Sequence, residues 1–198
     1  MSTWINKTSL LAGFLALAAC VDAGASLRQR PVLGGAVKVA APSGYCIDPA
    51  GVREGDGSAL ALIGRCASGT AVPAILTVAV GAAGSGQGMV GAQAALATFF
   101  ASDQGRAALS REGDASSVTV QQTTVQGSAV LIRLTDTSAN PQAPGQTQSW
   151  RGVLPLAGRL VSLTVTGFGD ADLSADQGQA LLARFIAAMQ RANGGGAA

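Results

Sequence analysis

Histidine is absent from the 198 residues. That single absence removes the commonest general base, His-based catalytic triads and imidazole metal ligands. Lysine is nearly as scarce, with Lys7 and Lys38 alone, and Tyr45 is the one tyrosine. Aromatic residues make up 4% and charged residues 12% of the chain, and no run of like charges occurs. The formal net charge is +2, without the basic stripe that neutralises phosphates, so nucleic acid is not an expected partner. With so thin a catalytic inventory the chain is not expected to be an enzyme, and no cofactor is implied. Also missing is an apolar run of the roughly 20 residues that a bilayer-spanning helix needs. What is plentiful is apolar character (48%) and glycine (27 residues). That is too hydrophobic for intrinsic disorder. A chain of this length folds as one domain with extra segments at an end, burying roughly 70% of its unfolded surface.

The first twenty residues read MSTWINKTSLLAGFLALAAC. Lys7 supplies a positive segment, and Leu10 to Ala19 form a short apolar run of the length of a signal-peptide core. The run ends Leu17-Ala18-Ala19-Cys20: leucine three places before the cysteine, then two small residues. This resembles a bacterial lipobox. The resemblance implies that residues 1–19 are removed as a signal peptide, that Cys20 is acylated, and that it becomes the mature N-terminus. It thereby implies a membrane partner reached through Cys20. Val21 rather than aspartate follows, which by the same resemblance implies an outer-membrane lipoprotein facing the periplasm, with the inner membrane as the alternative. More than one acyl chain, at about 0.8 kcal/mol per buried CH₂, gives durable anchoring. Residues 20–35 contain DAGASLRQRP, without periodicity, and read as a tether. The folded domain is expected over 36–192 and a disordered tail over 193–198.

Export places Cys46 and Cys66 in an oxidising compartment, where a pair is most simply a disulfide. Asp56-Gly57 lies at their midpoint and is a favoured two-residue turn. Antiparallel strands on either side bring the two cysteines close to facing each other, within the Cα separation a disulfide tolerates. Asp48-Pro49 is expected to interrupt that ladder. Free thiols are the alternative; two cysteines without histidine cannot fill a tetrahedral metal site, and the spacing is not C-x-x-C.

Strands are expected at 37–40, 45–48, 59–65 and 74–80, the last two (ALALIGR and AILTVAV) as buried apolar runs. A helix follows over 92–101, carrying Leu96, Phe99 and Phe100, then a second short one capped by Ser102. Hairpins come next: residues 118–121 with 129–134 about Gln126-Gly127-Ser128, and 150–154 with 160–166 about Leu156-Ala157-Gly158. A long helix closes the chain, with Ser174 and Gln177 as a capping box, Leu182, Phe185, Ile186 and Met189 as its apolar stripe, and Asn193-Gly194 as its stop. Hairpins favour an antiparallel sheet and amphipathic helices must cover it, giving an α+β domain with a sheet of about six to eight strands. In element order, over about residues 36 to 192, the layout resembles the PsbP-like fold, a sheet sandwiched by helices. The stretch GYCIDP with a later cysteine is similar to uncharacterised lipoproteins of alphaproteobacteria. Neither likeness assigns functional residues, and the first implies a non-catalytic accessory or assembly role.

Two motifs invite a sharper reading. Gly86-x-Gly88-x-x-Gly91 fits the dinucleotide fingerprint, but the preceding strand is expected to end near Val80, too early for the tight turn that fold requires; a mobile glycine loop is the reading adopted. Asp170-x-Asp172-x-Ser174 starts like a calcium loop, yet Ala175 and Leu181 replace its glycine and glutamate, so helix-terminal acids beside a serine cap explain it. Arg106, Arg111, Arg133, Arg151 and Arg159 are expected to be solvated, with a ligand groove as the alternative. Trp150 and Arg151 form the candidate interface pair, Trp150 being the better candidate to face the core. The expected function is a lipid-anchored envelope module that binds another envelope protein without catalysis. The alternative is a carrier or sensor of a small apolar ligand held between sheet and helices.

Overall fold

The computed structural model describes residue 1 and residues 27–139, 146–169 and 172–194; Cys20 and the proposed signal segment lie outside them. Among the described residues, ten strands and three α-helices make an α+β fold. An antiparallel hairpin of β1 (Gln29–Val32) and β2 (Val37–Ala40) stands apart from an eight-stranded antiparallel sheet. The sheet contains β3 (Tyr45–Ile47), β4 (Arg53–Gly55), β5 (Ser58–Arg65), β6 (Ala74–Val80), β7 (Val118–Gln126), β8 (Ala129–Asp136), β9 (Gln148–Leu156) and β10 (Arg159–Gly167). Its order is β3-β5-β6-β10-β9-β8-β7, with β4 also pairing β5, and it is not closed into a barrel.

Local chemistry sets the hairpins. Asp56 and Gly57 both have positive φ (51° and 72°), as do Ala157 and Gly158 (50° and 72°). These are left-handed two-residue turns, whose twist matches that of the strands they join. Helices α1 (Gln93–Ala101), α2 (Asp103–Leu109) and α3 (Ala175–Ala192) start where the sequence predicts within a residue. The Ser102 hydroxyl accepts from Gly105 N at 3.2 Å to cap α2. At α3 the Ser174 hydroxyl accepts from Gln177 N, and the Gln177 side chain accepts from Ser174 N at 3.0 Å.

Helices pack on both faces of the sheet. Ala61, Ile63, Leu76, Val78, Leu163, Val165, Trp150 and Leu154 turn toward α3 and bury Leu181, Leu182, Phe185 and Met189 in one core. On the opposite face Val118, Val130, Ile132, Leu134 and Val153 pack under Phe100 of α1 and Leu109 of α2.

Two expectations are corrected here. Residues 20–35 do not form a tether throughout, because β1 pairs β2 and buries Val32 to 1% exposure. Ala41 N also donates to Arg28 O at 2.9 Å, and Ile47 N to Leu27 O at 2.8 Å. A four-residue strand that buries one side chain leaves no alternation to read, and Pro31 is tolerated because the hairpin is two-stranded, with only one side of β1 paired. At the other end, Asn193 is not disordered tail. Its side chain accepts from Lys38 N and donates to Lys38 O, both at 2.8 Å, tying the end of α3 to β2. Residues 195–198 lie outside the described residues.

The Cys46–Cys66 disulfide is present, with Cα atoms 5.0 Å apart. Cys46 stands opposite Gly64, so the bridge runs diagonally to Cys66, two residues beyond, rather than straight across. Residues Pro49–Gly51 form a 3-10 turn after Asp48, whose side chain accepts from Ala50 N at 2.9 Å. This is the interruption that Asp48-Pro49 predicts.

Candidate functional site

Helices α1 and α2 cover only the β7-β8-β9 half of their face. Among the described residues no helix covers the β5-β6-β10 half beside them, and that boundary is the cleft. In β5 the residues Ala59, Ala61 and Ile63 point to the α3 core, while Leu60 and Leu62 point the other way; Leu60 is 43% exposed. The apolar runs of β5 and β6, expected to be buried strands, are therefore buried on one side only.

Register aligns a row of side chains across four strands. Leu62 stands opposite Thr77, Thr77 opposite Thr164, and Thr164 opposite Arg151. The neighbouring row runs Ile75, Thr166, Ser149. Leu109, at the end of α2, and Arg111, just after it, wall the far side and enclose a cavity of about 310 Å³. That is the lower end of the range in which small-molecule sites fall. Its floor is graded: leucine and isoleucine on β5 and β6, hydroxyls in the middle, a guanidinium on β9.

The charged end consists of Arg111, Asp136 and Arg151. Asp136 is 1% exposed. It accepts from Arg111 N at 2.9 Å, Ser138 N at 3.0 Å and the Ser117 hydroxyl at 3.0 Å, and also from the Ser138 hydroxyl. Burial pushes its carboxyl upward, but the hydrogen bonds, that from the Ser138 hydroxyl foremost, outweigh it and hold the group below the ordinary carboxylate value. Arg111 Nη1 lies 3.6 Å from this carboxylate, and its other nitrogens donate to the carbonyls of Asp136, Ser138 and Ala139. Arg111 is thus used up in holding the wall.

Arg151 is not. Among the described residues its buried Nε has no partner, and its one side-chain hydrogen bond runs from Nη1 to Ala108 O at 3.4 Å. Burial works against its charge, Asp136 supports that charge and Arg111 opposes it, so the guanidinium is held below its ordinary value.

The candidate interface pair separates. Arg151 lines the cleft, while Trp150 is 3% exposed and lies on the other face of the sheet against α3. Alternation in β9 dictates this, since neighbours in a strand face opposite ways. Trp150 is therefore a core residue, as its preference for the core had suggested. The remaining arginines are less solvated than expected. Arg106 pairs with Asp103 at 2.6 Å on the surface. Arg159, however, donates to Gly57 O at 2.7 Å and Gly81 O at 2.8 Å, tying its own turn to the Asp56-Gly57 turn and to the end of β6, and the buried Nε of Arg133 has no partner among the described residues. Asp136 was missed by the sequence reading. The signal for its turn was there, because Asp136-Thr137-Ser138 is an Asx-turn pattern, but its burial depends on α2 and is not local.

The glycine fingerprint is not a phosphate loop. Twelve residues separate the end of β6 from the start of α1. A Cβ on Gly86 would sit 2.6 Å from the Arg159 backbone, and Gly86 N donates to Gly158 O at 3.3 Å. Gly86 permits two turns to pack; it does not free a loop to move. Of the calcium-like motif, Asp170 lies outside the described residues and Ser174 is spent on the α3 cap. Among the described residues no group of three His, Cys, Asp or Glu is placed to hold a metal, and no helix is long and apolar enough to cross a membrane.

No protein-family model matches the chain, and no curated protein matches its sequence. A crystal structure of a protein from Chromobacterium violaceum, a structural-genomics target, is 12% identical over 80% of each chain, with a TM-score of 0.26. A score that low has no bearing on fold or function.

Proposed function

We propose that this chain is a lipid-anchored binding module of the bacterial envelope, without catalytic activity, that holds a small, largely apolar ligand in the cleft beside α2. The observation that carries the reading is the half-open face of the sheet. Leucine and isoleucine side chains on β5 and β6 stand beside a 310 Å³ cavity instead of being covered by a helix. A concave, mostly apolar site with a few convergent polar groups is the ordinary form of a small-ligand pocket. The envelope location rests on the lipobox-like residues ending at Cys20, and the disulfide accords with an oxidising compartment. This favours the ligand-holding alternative over docking of an envelope protein, since Trp150, the aromatic of the candidate interface pair, is buried under α3.

Native mass spectrometry of the protein released gently from membranes tests the reading. A bound species of reproducible mass, lost in Leu62→Glu, is the expected result. A consistently empty protein together with a stoichiometric protein partner in pull-downs would replace it with the docking reading. Anchoring is tested separately: Cys20→Ser should abolish lipid labelling and release the protein from membranes.

A further inference from the structure

We infer that the ligand is an amphipathic anion, a single acyl chain ending in a carboxylate, lying across the strands with its head on Arg151 and its tail over Leu60 and Leu62. The inference rests on the small-ligand reading above and adds the chemical class and the direction of binding.

Charge decides the head. Three ionic groups line this end of the cavity, two guanidiniums and one carboxylate, leaving a net +1. The carboxylate is already committed to Arg111 and to its ring of hydrogen bonds. Arg151 presents five N–H donors, of which the described residues engage one at 3.4 Å. Arg151 is half-buried, and its Nε is buried with no acceptor among the described residues, which is unfavourable unless a ligand supplies one. A carboxylate matches its planar fork, and a neutral apolar ligand leaves it as unsatisfied as before.

The floor decides the tail. From Arg151 on β9 the row passes Thr164 on β10 and Thr77 on β6 to Leu62 on β5. Three strand spacings of about 4.8 Å give about 14 Å, roughly the span of an extended chain of ten to twelve carbons, whose tetrahedral bonds of about 1.5 Å advance about 1.25 Å each. Polarity falls along that path, from cation through hydroxyls to leucine. Ile75 flanks it on one side and Leu60 on the other. A cationic amphiphile of the same length would set like charge against Arg151, and a doubly charged or wholly polar anion would strand the leucines in water.

Calorimetric titration of the purified full chain with decanoate, decanol and decyltrimethylammonium tests this. Decanoate should bind in a one-to-one ratio, decanol about tenfold to a hundredfold more weakly, and the cation more weakly still, since a charge-assisted hydrogen bond contributes about 1.5–3 kcal/mol. Arg151→Gln should bring decanoate down to the level of decanol while leaving decanol binding unchanged, and Leu62→Glu should abolish binding of decanoate. Should Arg151→Gln fail to fold, Arg151→Lys keeps the charge but not the fork, and should weaken decanoate alone by a smaller factor. Equal binding of decanoate and decanol, sensitive to Leu62→Glu but not to Arg151→Gln, would overturn the anionic head and leave the small-ligand reading intact. Failure of all three probes to bind would overturn the acyl ligand itself; the envelope mass-spectrometry experiment then decides the broader reading.

Discussion

Gly178 shows how a single residue can decide the packing of a helix. In an exposed helix interior, alanine is more favourable than glycine by about 1 kcal/mol. Here a Cβ would stand 2.3 Å from the Trp150 ring, which is itself enclosed in the core. The indole cannot retreat, and overpacking of this kind costs about 1–3 kcal/mol. Gly178→Ala should therefore lower stability by up to about 2 kcal/mol despite its better helix propensity, read as a lower urea midpoint at unchanged slope. Asp136 makes a prediction of opposite character, because it acts through charge. Its folded-state carboxyl is held below the ordinary value. The stabilisation is therefore complete above the unfolded value of about 4, and it is lost as pH falls through that value and on through the folded one. Asp136→Asn should cost about 3 kcal/mol at neutral pH, by leaving Arg111 without its counter-charge and turning an acceptor into a donor. Its stability should also vary less than that of the parent protein between about pH 4 and pH 2. Urea melts across that range give both readouts.

Elements differ in how openly the sequence displays them, and the difference follows the range of the interactions that form them. Turns and caps are local. Asp56-Gly57, Ser102 and the Ser174–Gln177 box contain their own chemistry, and each is found where the sequence puts it. The disulfide was legible for a similar reason, since a midpoint turn fixes which residues of the two strands approach; the diagonal offset came from the bend at Pro49–Gly51. Strand β1 was not legible, as its one buried side chain has meaning only against β2. Nor was the cleft: the alternation in ALALI is apolar on both faces, and whether Leu60 and Leu62 are covered depends on how far α1 and α2 reach across the sheet. The disulfide joins the start of β3 to the end of β5, twenty residues on. Its chain-entropy contribution is about 3 kcal/mol, so Cys46→Ala with Cys66→Ala should lower stability by about that amount. Because the bridge lies at the edge of the sheet away from Arg151, decanoate affinity should be unaffected in the folded fraction. For α2, Ser102→Ala removes the cap and should cost about 1 kcal/mol, loosening the wall that Leu109 and Arg111 provide. Hydrogen exchange at 105–109 should rise before that of the strands.

The molecule as a whole has two faces with different tasks. The α3 face is a continuous core, closed at its margin by the β1–β2 hairpin and fastened by Asn193, so the N-terminal strand and the C-terminal helix end at the same place. The other face is only half covered, and it holds the cleft. An anchor at Cys20, as proposed, would enter the fold through β1, and the hairpin would then be the joint between membrane and domain. The boundary of the folded unit is then a mechanical quantity as well as a description. Removing residues 1–26 leaves Leu27 O, Arg28 O and the whole β1 ladder in place, and should leave the melting temperature unchanged. Removing residues 1–35, the boundary the sequence suggested, strips β2 of its partner strand, uncovers the side of the core that Val32 closes and frees Ile47 N and Ala41 N. Burial of one valine contributes about 1.5–3 kcal/mol, and each lost backbone hydrogen bond about 1 kcal/mol. The shorter form should lose several kcal/mol and melt well below the longer one. Equal melting temperatures would mean that β1 is attached to the domain without supporting it, and that pulling on the anchor does not load the core.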